Sequence, residues 1–526
     1  MGAILKAYTY ALRIAKGDKM ALTVEEFDAW ISNPKAVKCT LLEVQVYDGT
    51  QEKTLYLSSS NYGTGPGDTP ANTQYLPVLQ TSVQFTENLS IEGEASISYG
   101  DISINNYNGE LDYLLNYVWT GRSIKIFMGD VTHTRDNFTV IFDGIVSDIS
   151  SSSISSINIQ LRDKLQKVNN SIYDVPLGAY GTKGSANTNK DEVKPLVFGE
   201  VTNITPLLID SVLSEYMVHD GPIERIIEVR DNGVPVSFTP NNATGTFKLV
   251  NIPVGIVTCS VQGDSKSLDS SGNLVSAYKN TVAKLIQRIL TAYGNSDSLV
   301  SVQELDLDNF NTFDAGHQQP VGVYVSSREN VINVCNNLAR SVGAQLVATR
   351  SGKFKLLKIA TPVAGTTTIT SDSIIKDSLA ISQKVPVQSS VKLGYCYNYT
   401  IQEGVLTVIP EEHKAFYAKD WLVKTVSDED AKILYKQTAD PVQKDTYIVT
   451  DIGGFVTDEA TRLLDLYKVQ RYVYSLRCTP SFINIELGKM ITLKHHRFGL
   501  SAGKYGQVIS VGVDWNSGFV TLEVLV

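Results

Sequence analysis

The sequence predicts a mainly β chain, α+β overall, that contains two copies of one small β-barrel. The first supporting observation is a period-two alternation of apolar and polar residues through much of the chain. In the segment 391–401, alternate positions are apolar or aromatic and most of the others are polar, which is typical of a strand with one buried face. Similar alternation occurs in "RSIKIFM" (122–128), "FTVIFDG" (138–144), "SINIQL" (156–161) and "FVTLEVLV" (519–526).

The second observation is an internal sequence repeat, in which segments near the N-terminus match segments near the C-terminus. "GRSIKIFMGD", "FDGIVSDI" and "SINIQL" are matched near the C-terminus by "GKMITLKHHR", "YGQVISVGV" and "GFVTLEVL". Two glycines occupy matching positions in both copies, and each of them precedes alternating apolar residues. A glycine at such a place in a strand is typical of a bend or bulge at a barrel corner. The predicted structural barrel-corner positions are Gly121, Gly144, Gly488 and Gly506.

The third observation is that helices are few but well marked. Two capping boxes are predicted, one formed by Thr23 with Glu26 and one by Ser326 with Glu329. In both, a hydroxyl residue stands three positions ahead of a glutamate. The predicted helices are those that begin at these two boxes, together with segments in 280–293, 427–437 and 456–468.

These elements divide the chain into five predicted parts. The first is an extension that is either a docking segment or dispensable, and the last is the second barrel. Polar linkers are predicted at 181–194 and 361–371. The parts are an N-terminal extension (1–19), a first barrel domain with an N-terminal helix (20–175), a linker and inserted β-domain (176–275), a helix and β-hairpin domain (276–375) and a second barrel domain (376–526).

Bulk composition excludes several classes of protein. The formal net charge of -9 argues against a protein that binds nucleic acid tightly, because phosphate binding needs clustered lysine and arginine. The five cysteines are odd in number and form no Cys-x-x-Cys pair, so they predict neither a disulfide framework nor a zinc knuckle. We therefore expect synthesis in a reducing cytoplasm. No apolar run is long enough to predict a membrane span.

Two Gly-Lys pairs and a His-His pair near the C-terminus suggest chemistry at first sight. Lys489 and Lys504 are each followed by a strand pattern, whereas a phosphate-binding loop requires Ser or Thr and then a helix. His495 and His496 are adjacent, so on a strand their side chains would point to opposite faces. A polar loop at a strand end is the favoured interpretation.

A third candidate is an acidic triplet, Glu304, Asp306 and Asp308, whose alternate positions would share one face of a strand. Oxygen ligands of this kind suit calcium or magnesium, although solvated loop charges are the favoured interpretation. No Gly-x-Ser-x-Gly nucleophile motif is present. The sequence thus predicts no catalytic residue, no cofactor and no metal site.

With these patterns in place, the chain resembles the baseplate-hub or tail-tip proteins of tailed bacteriophages. No single motif carries the likeness, which lies in the order of several segments. These are "VIFDGIVSDISSSSISSINIQLRDKLQKVNN" (140–170), "KPLVFGEVTNITPLLID" (194–210), "YMVHDGPIERIIEVRDNGVPV" (216–236), the segment 329–359 and the segment 487–526.

The resemblance implies an architecture and a set of partners. Each hub subunit holds two tube-type barrels, and three subunits form a homotrimeric ring with six barrel positions. Such a ring joins a six-fold tail tube or distal tail protein to a three-fold tip or central fibre protein. DNA would pass through its lumen without sequence-specific binding, since an acidic lumen repels phosphate. The protein would be synthesised in the host cytoplasm, lie at the tail tip of the virion, and act structurally rather than as an enzyme.

Two other hypotheses remain open at this stage. One is a receptor-binding or adhesin-like protein at the virion surface, which would favour aromatic residues clustered on exposed loops and sequence variability in 231–275. The other is a hydrolase that uses paired carboxylates, which binding and zymography assays would distinguish from a structural hub.

Overall fold

The computed structural model describes residues 22–33, 35–80, 84–91, 96–178, 189–402, 405 and 409–526. The predicted extension 1–19 and residues 181–188 of the first predicted linker lie outside the described residues. No helix in these ranges is long and apolar enough to cross a membrane.

Seven α-helices are described. The first begins at the predicted capping box, where Thr23 Oγ1 accepts from the Glu26 N–H and Glu26 Oε2 accepts from the Thr23 N–H. This helix start is therefore confirmed. The helices are α1 (Val24–Ile31), α2 (Val282–Ala292), α3 (Leu307–Gly316), α4 (Val331–Arg340), α5 (Glu411–Tyr417), α6 (Glu429–Tyr435) and α7 (Phe455–Tyr467).

Thirty-two strands account for most of the regular structure. The first ten are β1 (Lys38–Tyr47), β2 (Glu52–Ser58), β3 (Tyr62–Gly63), β4 (Gln74–Pro77), β5 (Gln84–Asn88), β6 (Ser96–Tyr99), β7 (Ile102–Asn105), β8 (Ser123–Asp130), β9 (Thr139–Ser153) and β10 (Ser156–Arg162). The next ten are β11 (Leu196–Ile204), β12 (Leu207–Asp210), β13 (Glu215–Met217), β14 (Ile223–Asp231), β15 (Val234–Pro235), β16 (Phe238–Asn241), β17 (Thr246–Leu249), β18 (Val257–Asp264), β19 (Ser267–Leu268) and β20 (Leu274–Val275). The last twelve are β21 (Gly322–Val325), β22 (Ala344–Ala348), β23 (Phe354–Lys358), β24 (Thr367–Thr370), β25 (Ala380–Val385), β26 (Ser390–Tyr395), β27 (Leu422–Ser427), β28 (Gln443–Asp445), β29 (Arg471–Cys478), β30 (Met490–Lys494), β31 (Lys504–Asp514) and β32 (Val520–Leu525).

The two largest sheets contain the two ends of the chain. One has the order β3-β4-β2-β1-β8-β9-β10-β7, and the other has the order β24-β30-β31-β32-β29-β25 with β5 and β6 attached through β31. Neither closes into a barrel through its named strands in the part of the chain that is described. A bridge between Leu79 and Ile104 joins the segment after β4 to β7, and a bridge between Ile374 and Cys478 joins the segment after β24 to β29. The mainly β prediction is confirmed.

The two large sheets share one hydrophobic core. β5 lies early in the chain but pairs with β31, so that Glu87 is opposite Val511. One cluster of buried residues extends from Phe27 of α1 through both sheets to Leu525 of β32. Smaller sheets and the helices α2, α3, α4 and α7 contribute to two further clusters of buried residues. The five predicted domain bounds stay a prediction.

Two local predictions differ from the structure, and one helix was missed. The predicted strand 391–401 ends at Tyr395, because Cys396 has a φ of 52° and turns the chain away. The predicted capping box at Ser326 is wrong: α4 begins later, since Asn330 first forms a bridge with Ser171. The helix α3, which begins within the acidic triplet, was not predicted.

A buried glutamine in α2 leads to a testable prediction. Gln287 has no exposed surface, and neither its amide nitrogen nor its amide oxygen has a hydrogen-bond partner among the described residues. An unsatisfied buried amide costs about 1–3 kcal/mol. We therefore expect Gln287→Met to raise the free energy of unfolding by about 1 kcal/mol or more in urea titrations.

A second buried glutamine supplies the matched control. Gln507 is also buried, at 3% exposure, but its amide nitrogen donates to the carbonyl oxygens of Lys358 and Gly488 and its oxygen accepts from the Ala360 N–H. Gln507→Met should lower the stability, because it leaves those backbone groups without partners. Equal effects of the two substitutions would contradict this interpretation.

Candidate functional site

The four glycines singled out in the sequence lie within or two positions before the strands of two three-stranded meanders, β8-β9-β10 and β30-β31-β32. In the first meander Ile124 is paired with Gly144. In the second, Ile491 is paired with Gly506. In both meanders, the second glycine therefore lies opposite the isoleucine that is three positions after the first glycine. The matching sequence segments thus have the same strand register.

The backbone hydrogen bonds at the first glycine of each pair also match. The Gly121 N–H donates to Val146 O at 2.9 Å, and the Val146 N–H donates back to Arg122 O at 2.9 Å. In the other meander, Gly488 and Val508 form the same arrangement with 2.8 Å and 2.9 Å bonds, the second of them to Lys489 O. The two meanders therefore begin with the same local geometry.

The glycines serve two different physical purposes. Gly121 and Gly488 have φ values of 78° and 82°, a backbone region that side chains with a Cβ rarely adopt. Gly144 and Gly506 instead lie where another strand approaches closely. A Cβ on Gly144 would lie 2.5 Å from Arg162 O, and one on Gly506 would lie 2.4 Å from a methyl group of Val524.

A β-bulge follows at the same place in both meanders. In the first, the pairing shifts between Val146–Leu161 and Asp148–Gln160, so that residue 147 is extra. In the second, it shifts between Val508–Val524 and Ser510–Glu523, so that residue 509 is extra. Both extra residues lie three positions after the second glycine. A bulge increases local twist and bends the strand. The role of the four glycines as barrel corners stays a prediction.

The first glycine pair faces a polar cleft of about 980 Å³ between the first large sheet and the segment 295–304. Lys164 links the two sides, since its Nζ lies 3.1 Å from Asp143 Oδ2 and 3.0 Å from Glu304 Oε1. Lys167 Nζ adds a second ion pair to Glu304 at 3.2 Å. Arg122 pairs with Glu52 at 2.7 Å at another part of the cleft. Most of the charged side chains that line the cleft are therefore in ion pairs.

Ion pairs and the N-terminus of α3 account for the three carboxylates of the acidic triplet. Burial alone would raise the pKa of Glu304, but the Ser301 N–H and Lys164 hold it at about 2. Asp306 is the N-cap of α3 and also pairs with Lys355 at 3.1 Å. Asp308 lies in the first turn of α3, where a carboxylate is favourable near the helix N-terminus. The expectation of a strand with three aligned carboxylates is therefore wrong.

The second glycine pair lies next to the Gly-Lys and His-His motifs. Lys489 directly precedes β30 and Lys504 begins β31, so each lysine leads into a strand rather than a helix. His495 and His496 follow β30, and their ring centroids are 4.2 Å apart, so the rings lie side by side rather than on opposite faces. No group of three or more His, Cys, Asp and Glu side chains within the described residues could hold a metal ion.

A buried charged cluster was not found from the sequence. Glu459 of α7 is almost fully buried, and its carboxylate contacts Lys358 Nζ at 3.1 Å and Arg462 Nη2 at 2.6 Å. Lys358 Nζ also lies 3.1 Å from His317 Nε2. Burial, helped by the nearby charge of Arg462, outweighs the attraction of Glu459 and lowers the pKa of Lys358 to about 8. These residues come from three distant parts of the chain, which explains why no local pattern indicated them.

The shifted pKa of Lys358 predicts a pH dependence of stability. The folded-state pKa of about 8 lies below the ordinary value of 10.5, so between these values the unfolded chain binds more protons. Stability from this group therefore rises with pH, by up to about 1.4 kcal/mol per pH unit. Urea unfolding of the wild type and of Lys358→Met at pH 8, 9 and 10 measures it. The difference should shift in favour of the wild type as pH rises, and parallel curves would contradict it.

Comparisons with known proteins give distant likenesses of fold. No protein-family model matches the chain. No curated protein matches it either.

Among solved structures, a tail protein from Neisseria meningitidis is 9% identical over 93% of this chain and 96% of its own, with a TM-score of 0.39. A 43 kDa tail protein of prophage MuSo2 from Shewanella oneidensis is 10% identical over 93% of this chain and 98% of its own, with a TM-score of 0.38. A chain from the virion of a native gene transfer agent is 10% identical over 64% of this chain and 84% of its own, with a TM-score of 0.40. Two of these three solved structures are tail proteins.

Proposed function

We propose that the chain is a structural hub of a bacteriophage tail tip, which forms a ring between a six-fold tail tube and a three-fold tip or central fibre. The observation that carries the proposal is the similarity of the two meanders. They have the same strand register, the same glycine positions and a β-bulge at the same place, and their sheets share one hydrophobic core. A chain with two equivalent units can offer two similar contact surfaces.

Symmetry gives this duplication a use. Three copies of a chain with two equivalent units present six similar positions on one face while keeping three-fold symmetry elsewhere. Head-to-tail contacts close into a ring when the rotation between neighbours fits. A homotrimer of this kind can contact a tail tube or distal tail protein at one face and a fibre or tip protein at the other.

The net charge of -9 supports passage of DNA through such a ring. DNA binds proteins mainly through its phosphates, and an acidic surface disfavours those contacts. The channel would therefore let DNA pass without sequence-specific binding. In this proposal the chain is not an enzyme, and zymography of the purified protein on cell wall and polysaccharide should show no cleared zone.

Copy number in an assembled particle tests the proposal. Quantitative mass spectrometry of purified particles that contain this chain should give half as many copies of it as of each six-fold ring protein. Six or twelve copies per tail would show that the hub arrangement is wrong.

A second candidate function is receptor binding at the virion surface, and one loop favours it. The loop between β17 and β18 exposes several aliphatic side chains, among them Ile252 at 85% and Val254 at 93%. Asp231 holds the loop, since its carboxylate accepts from the Val254 and Gly255 N–H groups. Exposed apolar residues on a held loop are a common feature of binding surfaces. Saturable binding of the isolated chain to host cells, lost in a variant with Ile252→Ser and Val254→Ser, would favour this function.

A further inference from the structure

A cavity of about 510 Å³ lies between the start of β26 and the loop that joins α6 to β28. One wall is the segment 387–392 and the other is formed by residues from the segment 436–444. It is separate from the glycine pairs and from the charged cleft, and the proposed hub role does not use it.

Hydrogen bonds fix the two walls relative to each other. The side chain of Gln437 donates to Val387 O at 2.6 Å and accepts from the Ser389 N–H at 2.8 Å. The preceding Lys436 has a φ of 52°, which directs the chain out of α6 and across the cavity. β28 then runs parallel to β26, with Lys392 paired to Gln443. The cavity is therefore part of the fold and does not depend on a loose loop.

The charge of the lining differs from that of the whole chain. Its residues include three lysines, Lys392, Lys436 and Lys444, and no aspartate or glutamate. Neither Lys392 nor Lys436 forms an ion pair with a carboxylate of the described residues, in contrast to nearby Lys432, whose Nζ lies 2.7 Å from Glu429. Two unneutralised ammonium groups at one cavity of an acidic protein attract an anionic ligand.

Apolar groups accompany the lysines. The walls include Val391 and Pro441, and the neighbouring Val442 is 86% exposed. Ile433 and Leu434, on the last turn of α6 before the cavity loop, are 77% and 71% exposed. Exposed aliphatic residues commonly mark a protein-binding surface when they form a patch. A free phosphate ion would use the lysines but gain nothing from these side chains.

We propose that this cavity binds an acidic, aliphatic segment of a partner protein, with Lys392 and Lys436 pairing with its carboxylates. The aliphatic side chains of the segment cover Val442 and the exposed residues of α6. Each rim ion pair contributes little by itself, so both lysines act together and the binding weakens as salt increases.

The test uses the full chain and a fluorescein-labelled probe peptide of nine residues in which glutamate and valine alternate. Fluorescence anisotropy should show saturable binding at low salt, and a matched peptide of lysine and valine should not bind. The double variant Lys392→Glu/Lys436→Glu should weaken binding of the acidic peptide at least tenfold. The control variant Lys376→Glu/Lys419→Glu makes the same charge change at two exposed lysines outside the cavity and should bind as the wild type does.

Three outcomes would overturn the proposal. The first is the absence of saturable binding by the wild type, and the second is an equal loss in the control variant. The third is displacement of the peptide by inorganic phosphate but not by sodium chloride of the same ionic strength, which would identify a simple anion site. Far-UV circular dichroism of both double variants verifies that they are folded, and single variants at Lys392 and Lys436 replace the double variant if it is not.

Discussion

Glu459→Gln is expected to lower the free energy of unfolding by about 3–5 kcal/mol, because it removes the only carboxylate that Lys358 and Arg462 share in the described contacts. Glu459 is 2% exposed at its side chain, and Lys358 is 11% exposed. Lys358 could not reach bulk water without a rearrangement of α7 against β23, whereas the Arg462 side chain is 25% exposed. The loss measures the cost of leaving buried charges unpaired.

An exposed ion pair with the same spacing provides the control. Glu429 and Lys432 in α6 are three positions apart, as Glu459 and Arg462 are, but Glu429 is 73% exposed. Glu429→Gln should change the stability by less than about 0.5 kcal/mol. Urea unfolding monitored by tryptophan fluorescence measures both variants, and similar losses would show that burial of the cluster has no special importance.

Trp515→Ala is expected to lower the stability by about 3–5 kcal/mol, the usual cost of emptying a large aromatic site. Trp515 lies in the turn between β31 and β32, is 2% exposed, and packs 6.4 Å from the Phe27 ring of α1. The Arg350 guanidinium lies 5.4 Å from its ring. Removing the indole therefore affects the N-terminal helix and the C-terminal meander at once.

A conservative change at the same position separates packing from polar contacts. The indole N–H of Trp515 has no hydrogen-bond partner among the described residues. Trp515→Phe retains much of the aromatic volume and removes that donor, so it should cost less than about 1.5 kcal/mol. If Trp515→Ala cost as little as Trp515→Phe, the two ends of the chain would not depend on a common core.

Much of the architecture could be predicted from local patterns. The period-two alternation indicated a mainly β chain, and the Thr23–Glu26 box located the start of α1, because capping uses residues only three positions apart. The internal repeat at the two chain ends was recognisable because Gly121 and Gly488 require an unusual φ, which few other residues tolerate. Such requirements are visible in a sequence.

Features that depend on distant contacts could not be predicted. Tyr397 and Tyr399 continue the alternation of β26, yet Cys396 turns the chain and Tyr397 stacks on Trp421 at 4.4 Å. The pairing of β5 with β31 joins residues more than four hundred positions apart. The Lys358–Glu459 contact and the lysine-lined cavity likewise arise only when separate elements meet.

The mass of the purified chain in solution tests the central proposal most directly. Light scattering at micromolar concentration should show a species near three times the 57.6 kDa chain, as a closed homotrimeric ring requires. A chain that is monomeric alone and trimeric with tail-tube protein would also agree, since the tube would then nucleate the ring. A chain that stays monomeric even with tail-tube protein would contradict the hub and favour the surface-binding function.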